Sequence, residues 1–223
     1  MLHQLLLLTG HLGSGKSFIA EYLRDNFGFH ILSVASPIKK IVYEQNPLIR
    51  IKENEFNSYQ NVLSEMGYAK MKELPEVRKL WQRTGDVLRD QCGENVLTES
   101  LIMKMETILD DSTFSKRGPV RVVIDDIRLE YEPHQIARCF LQYPDMHNAA
   151  VHFVRVQPFT KQYNPLPSPD ILNHNTESFV DKFDVTREFL NDKLNTSNTI
   201  DPMLMDLLYN QPNWKAFEDV KRK

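Results

Sequence analysis

Gln4-Leu5-Leu6-Leu7-Leu8-Thr9-Gly10-His11-Leu12-Gly13-Ser14-Gly15-Lys16-Ser17 is the stretch on which the fold turns. The uninterrupted apolar run at its start reads as a strand covered on both faces, the kind found inside a parallel sheet. The eight residues after it match G-x-x-x-x-G-K-[ST]. Glycines let successive backbone N–H groups turn inward around phosphate oxygens. The following helix adds the positive end of its dipole. Gly10, Gly13, Ser14, Gly15, Lys16 and Ser17 are therefore the candidate ATP-binding residues. Lys16 is expected to reach the β- and γ-phosphates and Ser17 to ligate Mg²⁺, so ATP and Mg²⁺ are the expected cofactors. A glycine-rich turn with a chance lysine would not need a strand before it and a helix after it.

That helix is expected from residue 16 to about 27. Phe18, Ile19, Tyr22, Leu23 and Phe27 recur at helical spacing, and Gly28 sits where a C-cap belongs. A second strand is read over 29–34, and Ser36-Pro37 starts the next helix with Ser as N-cap. Residues 47–74 are polar without a strand pattern and are read as an inserted helical region. Helices follow from Pro75 to about Gln91 and over 94–109. A compact buried strand is expected at 120–124, a helix at 132–141 and a strand at 151–156. Pro165, Pro167 and Pro169, with Phe159, Lys161 and Tyr163, mark 159–169 as a mobile loop. A last strand is placed near 183–189, with Arg187 and Glu188 unusually charged for a buried strand, and helices at 203–209 and 214–220. The alternation predicts a three-layer α/β P-loop NTPase fold: a parallel sheet of about five strands flanked by helices, in one domain over 1–223. Residues 47–92 would form a helical acceptor-binding region and 157–180 a lid.

The chain has 223 residues, 41% hydrophobic and 26% charged, the balance of an ordinary globular protein with room for one such domain. Its formal net charge of -3 is not built to hold duplex nucleic acid, and no nucleic-acid partner is expected. The two cysteines, Cys92 and Cys139, suggest free thiols in a reducing compartment. The leucine run is too short to span a membrane and no small-residue cleavage site follows. A cytoplasmic protein with no membrane partner is the expectation.

Four further segments bear on the chemistry. Lys39, in Ser36-Pro37-Ile38-Lys39-Lys40, falls in a first helical turn that either faces the site or is solvated. Arg78, Gln82, Gly85 and Arg89 recur at steps of four, three and four, so they share a helix face. Two arginines and an amide suit an anionic ligand, and a mid-helix glycine costs about 1 kcal/mol against alanine unless something presses close to the backbone. Asp125 and Asp126 end a buried strand, where carboxylates of phosphate-loop proteins hold Mg²⁺ or its waters. Either aspartate alone could equally cap the next turn; Ser17 and Asp125 are the metal candidates. Arg155 ends a late strand, and His174-Asn175-Thr176-Glu177 follows the Pro-rich loop. Arginines at mobile loops can close over a phosphoryl group in transfer.

Taken in order, these segments resemble the bacteriophage-type deoxynucleoside monophosphate kinases, within the wider nucleoside monophosphate kinase group. The shared features are the phosphate loop, S-x-P-[IL]-K at residues 36–39, R-x-x-x-Q-x-x-G-x-x-x-R at 78–89, D-x-R-x-x-x-E at 126–132, the strand-ending Arg155, and H-x-x-E at 174–177. The resemblance spans about residues 4–180 and implies phosphoryl transfer from ATP to a deoxynucleoside monophosphate. It implies that Lys39, Arg78, Lys79, Gln82, Gly85, Asp86 and Arg89 line the acceptor site, joined by Asp126, Arg128 and Glu132. Lys16, Arg128 and Arg155 would be catalytic, and His174 and Glu177 would belong to the lid. Partners would be the two nucleotides, with the 47–74 insert as a flap or a homodimer surface, and a phage origin would place the protein in the host cytoplasm. The chain departs from the family in having Ser17-Phe18 where Asp-Thr often stands. It also has Val96, Leu97 and Thr98 where the family tends to carry a tryptophan. Animal-type phosphomevalonate kinases share a similar arrangement and are the enzyme alternative. A phosphate-loop ATPase or switch is the non-kinase alternative.

Overall fold

Four consecutive leucines leave β1 (Gln4–Thr9) without a solvent-facing side, and all six of its residues are buried. The computed structural model, which describes residues 3–111, 118–158, 179–191 and Asp206, puts β1 in the middle of a five-stranded sheet. Its neighbours are β5 (Arg121–Ile124) and β6 (Ala150–Pro158). β2 (His30–Leu32) and β7 (Arg187–Asn191) form the edges. Every pairing in this sheet is parallel.

The alternation of side chains along β1 builds two cores. Leu5 and Leu7 pack with Val122, Ile124 and Phe153 under α5 (Val96–Asp110) and α6 (Glu132–Gln142). Leu6 and Leu8 pack with Val123, Val154 and Phe189 under α1 (Lys16–Phe27). Helices on both faces of a parallel sheet are the expected three-layer α/β fold. After β1 the chain crosses to β2, returns to β5, and only then passes to β6 on the other side. The sheet order therefore reverses at the C-terminal end of β1, where open α/β sheets bind ligands.

Local signals act as the sequence suggests at several ends. Gly28 caps α1 with φ 71°, its N–H donating to Arg24 O at 3.1 Å and that of Phe29 to Leu23 O at 3.3 Å. α2 (Ser36–Gln45) begins one residue earlier than expected. Ser36 lies inside it and its hydroxyl accepts from Lys104 Nζ at 3.0 Å, so it is not the N-cap. α4 (Pro75–Cys92) opens on its proline.

The 47–74 insert is not wholly helical. It starts as an antiparallel hairpin, β3 (Leu48–Lys52) and β4 (Glu55–Ser58), before α3 (Tyr59–Met71). The hairpin turns at Asn54, which takes φ 64°. The strands are four and five residues long and the turn carries no glycine, so the periodicity was too short to register. Ile49 joins Val42, Tyr59, Val62, Met71 and Val77 in a small core of its own. The final strand lies a few residues later than expected. Its charged residues have partners because it is an edge strand: Glu188 pairs with Arg155, and Arg187 with Asp206. The loop at 159–169, most of the lid at 157–180, His174 and Glu177, and the helices at 203–209 and 214–220 apart from Asp206, lie outside the described residues. Among the described residues no helix is long and apolar enough to cross a membrane.

One buried group gives the fold a pH dependence. His152 on β6 is 1% exposed, and neither ring nitrogen has a hydrogen-bond partner among the described residues. Burial, with Arg187 adding repulsion, pushes its pKa down to about 4 from 6.5. Between those values the unfolded chain binds a proton that the folded chain refuses, so stability is lost as pH falls through this window. Replacing the ring removes that loss. His152→Leu is expected to gain stability over the parent as pH falls from 6.5 to 4, approaching about 3 kcal/mol, in urea unfolding of both proteins at each pH. A difference that stays flat with pH would show that His152 titrates normally.

Candidate functional site

The loop after β1 is built from backbone that only glycine adopts freely: Gly10 at φ 142°, Gly13 at φ 78° and Gly15 at φ 96°. A Cβ on Gly10 would collide with Val156 O of β6, so the loop leaves the sheet where no side chain fits. Lys16 is 7% exposed and folds back over the loop, donating to Gly10 O at 2.6 Å and His11 O at 3.0 Å. Thr9 Oγ1 donates to Ile127 O at 3.0 Å and ties the end of β1 to the segment leaving β5.

A cavity of about 660 Å³ opens in front of this loop. It is lined by Gly13, Gly15, Lys16 and Ser17 of the loop and by Arg78, Gln82, Gly85 and Arg89 of α4. Lys39, Asp125, Asp126, Arg128 and Glu132 lie on its wall as well. Lys39 comes from the first turn of α2, so it faces the site rather than solvent.

The aspartates behave differently. Burial pushes the Asp125 carboxyl up, and the neighbouring Asp126 adds to the shift. Its buried Oδ1 lacks a partner in good hydrogen-bond geometry, and the nearby Ser33 hydroxyl, with Lys39, partly offsets the upward shift. Burial works against the Asp126 charge as well, but Arg128 and Lys39 outweigh it and hold its carboxyl below the usual carboxylate range. Asp126 accepts from Arg128 Nε at 2.9 Å. A carboxylate oxygen without a partner, in one cavity with the Ser17 hydroxyl, suits a divalent cation shared with phosphate oxygens. Among the described residues no cluster of three or more His, Cys, Asp or Glu converges, so phosphate would have to complete such a site.

Glu132 is 1% exposed and accepts the N–H of Arg128 at 2.7 Å and of Leu129 at 2.9 Å. Its carboxylate thereby fixes the backbone that presents Arg128. Burial pushes its pKa up to about 7, against those two hydrogen bonds. Its contribution is full below 4.5 and is lost as pH rises through 7, opposite in sign to that of His152.

The cations crowd one another. The Lys72 pKa is lowered by burial and then by Arg78 and Lys39. Burial also disfavours the Lys39 charge, but Tyr68, Asp126 and Asp125 outweigh it and raise its pKa. A lysine held in the cavity against the charge of two neighbouring cations is consistent with an anion site. Lys39 Nζ lies 5.0 Å from the Tyr68 ring centre and 5.8 Å from that of Trp81. The two rings stack at 5.8 Å.

Tyr68, Trp81, Lys72, Ser33 and Asn191 line the cavity but were not read from the sequence. Trp81 was findable, being three residues from Arg78 and four from Gly85 on the same face. Tyr68 follows Gly67, whose φ 74° breaks α3 and leaves no periodic signal. Asn191 reaches the loop only through the sheet. Gly85 has a packing reason: a Cβ there would lie 3.0 Å from Ile38 Cδ1, so the glycine lets α4 close on α2.

Other expected residues are placed elsewhere. Lys79 and Asp86 are exposed and do not line the cavity; Asp86 lies 3.6 Å from Arg89 as its ion-pair partner. Arg155 turns away from the cavity. It donates to Val180 O at 3.1 Å, Asp181 O at 3.3 Å and Phe183 O at 2.6 Å, and pairs with Glu188. These bonds fasten the segment before β7 to β6, in place of the expected closure over a phosphoryl group.

No protein-family model matches the chain, and no curated protein matches it by sequence. Solved structures do resemble it. TT1252 from Thermus thermophilus is 16% identical, with 94% of this chain and 100% of that one covered, at TM-score 0.46. Dephospho-CoA kinase from Campylobacter jejuni is 12% identical over 92% and 97%, at 0.41. Shikimate kinase from Aquifex aeolicus is 14% identical over 92% and 97%, at 0.38. Likeness at this level carries no argument about activity, and the fold stands on the strand order and the loop.

Arg155→Leu is expected to destabilise the chain by about 3 kcal/mol, because three carbonyls and Glu188 lose their donor. Urea unfolding measures this; an unchanged midpoint with lost turnover would return Arg155 to the chemistry.

Proposed function

We propose that this chain is an ATP-dependent kinase whose acceptor is a deoxynucleoside monophosphate. The observation that supports the reading is one cavity lined both by the phosphate loop and by the Arg78–Arg89 face of α4. Asp125, Asp126, Arg128 and Lys39 line the same cavity. A loop that only bound or hydrolysed a nucleotide would have no use for the second cationic wall.

The donor's phosphates would lie against Gly13, Gly15 and Lys16. Ser17 and Asp125 are the residues that would hold Mg²⁺ there, where its charge offsets that of the phosphates. An acceptor phosphate oxygen is already a competent nucleophile at neutral pH, so positioning and charge neutralisation are what the chain must supply. Arg78 and Arg89 suit the acceptor phosphate, and Gln82 a base edge. Arg128 is held rigidly by Asp126 and, through its backbone, by Glu132, in a place to meet charge between the two substrates. The stacked Tyr68 and Trp81 rings offer the apolar wall of the acceptor end.

The test is ADP release measured against a panel of nucleoside monophosphates and small phosphorylated acceptors, phosphomevalonate included. A deoxynucleoside monophosphate is expected to raise turnover most. ATP hydrolysis indifferent to every acceptor would sink the reading. Lys16→Ala is expected to lower kcat by about 100-fold or more. Arg78→Ala is expected to raise KM for the monophosphate about tenfold with a smaller effect on kcat. Both are read from steady-state kinetics.

A further inference from the structure

The phosphate loop is tied to β7 at one wall of the cavity. Asn191, the final residue of β7, is 3% exposed, and its Nδ2 donates to Ser14 O at 2.9 Å. The amide cannot be turned the other way, because that would set its oxygen against the Ser14 carbonyl. The contact is close enough that a Cβ on Gly15 would fall inside the Asn191 amide. A second tie runs from His11 Nε2 to Asp181 at 2.9 Å. Arg155 fastens the carbonyls of Val180, Asp181 and Phe183 to β6 and so fixes where both ties start.

We infer that Asn191 is a positioning residue for polyphosphate: it holds the Ser14–Gly15 peptide in the orientation that presents the Gly15 N–H as a phosphate donor. In a trans peptide the C=O and N–H point in opposite directions. With Ser14 O bound to Asn191, the Gly15 N–H must point away from β7. Gly15 sits at φ 96°, where glycine has no side chain to resist rotation of this peptide unit. A neutral hydrogen bond from a buried amide is what removes that freedom. Asn191 acts through the loop and needs no contact with the transferred group. The inference rests on the donor half of the reading above and is independent of the acceptor.

The test is titration of MgADP, and separately of inorganic tripolyphosphate, into the full chain, Asn191→Leu and Asn191→Ser, with thermal midpoints recorded. Leu keeps the volume without a donor, and Ser is too short to reach, so the pair guards against one variant failing to fold. Both variants are expected to bind both probes about tenfold more weakly, the scale of one hydrogen-bonded donor misaligned. Tripolyphosphate has no base, so a mere loosening of β7 would leave its affinity intact while weakening MgADP or lowering the midpoint. Parent-like tripolyphosphate binding by the variants therefore overturns the inference. A parent chain that binds neither probe would instead overturn the donor reading itself.

Discussion

Burial of β1 on both faces is the constraint from which the rest of the molecule follows. A strand with no wet side must have neighbours on both edges and helices on both faces. Once it does, the chain leaving it emerges where the sheet order reverses. The glycine loop stands at that exit, with Asp125 and Asp126 at the end of the neighbouring β5 beside it. Thr9 bonded to Ile127, and Gly10 pressed against Val156, show how closely the loop's base is fitted to the strands beside it.

The cavity is organised by charge more than by shape. Among the described residues, six cationic side chains (Lys16, Lys39, Lys72, Arg78, Arg89 and Arg128) line it together with two aspartates and two glutamates. Asp126 neutralises Arg128, and the Asp126–Asp125 pair supports Lys39. Lys72 is left disfavoured by Arg78 and Lys39. An anionic ligand beside Lys72 would relieve that repulsion. The buried Glu132 and Arg155 are different: they spend their hydrogen bonds on backbone, and they set the positions of Arg128 and of the segment before β7.

Strong local signals were legible residue by residue. The leucine run, the glycine–lysine–serine loop, Gly28 as a cap, Pro75 as a helix start and the Arg78–Arg89 face all appear in the structure as their spacing says. The β3–β4 hairpin was missed because strands this short, joined by an Asn turn without glycine, give no periodic pattern. Gly85 is costly in a helix on sequence grounds, and what presses on it is Ile38 of α2, a fact of helix packing.

Chemistry that depends on short-range pattern was written in the sequence: a loop shaped for phosphate, carboxylates at a strand end, and cations on one helix face. Which of them meet was decided only by the tertiary structure, because the partners are far apart along the chain. Arg155 ends a strand, where the sequence suggests closure on a substrate, and packing of the segment before β7 makes it a brace. Asn191 carries no motif at all, yet at a separation of 177 positions the fold brings it back to Ser14, since β7 pairs with β6 in the sheet. Local spacing sets what a residue can do; strand order sets which residue it does it to.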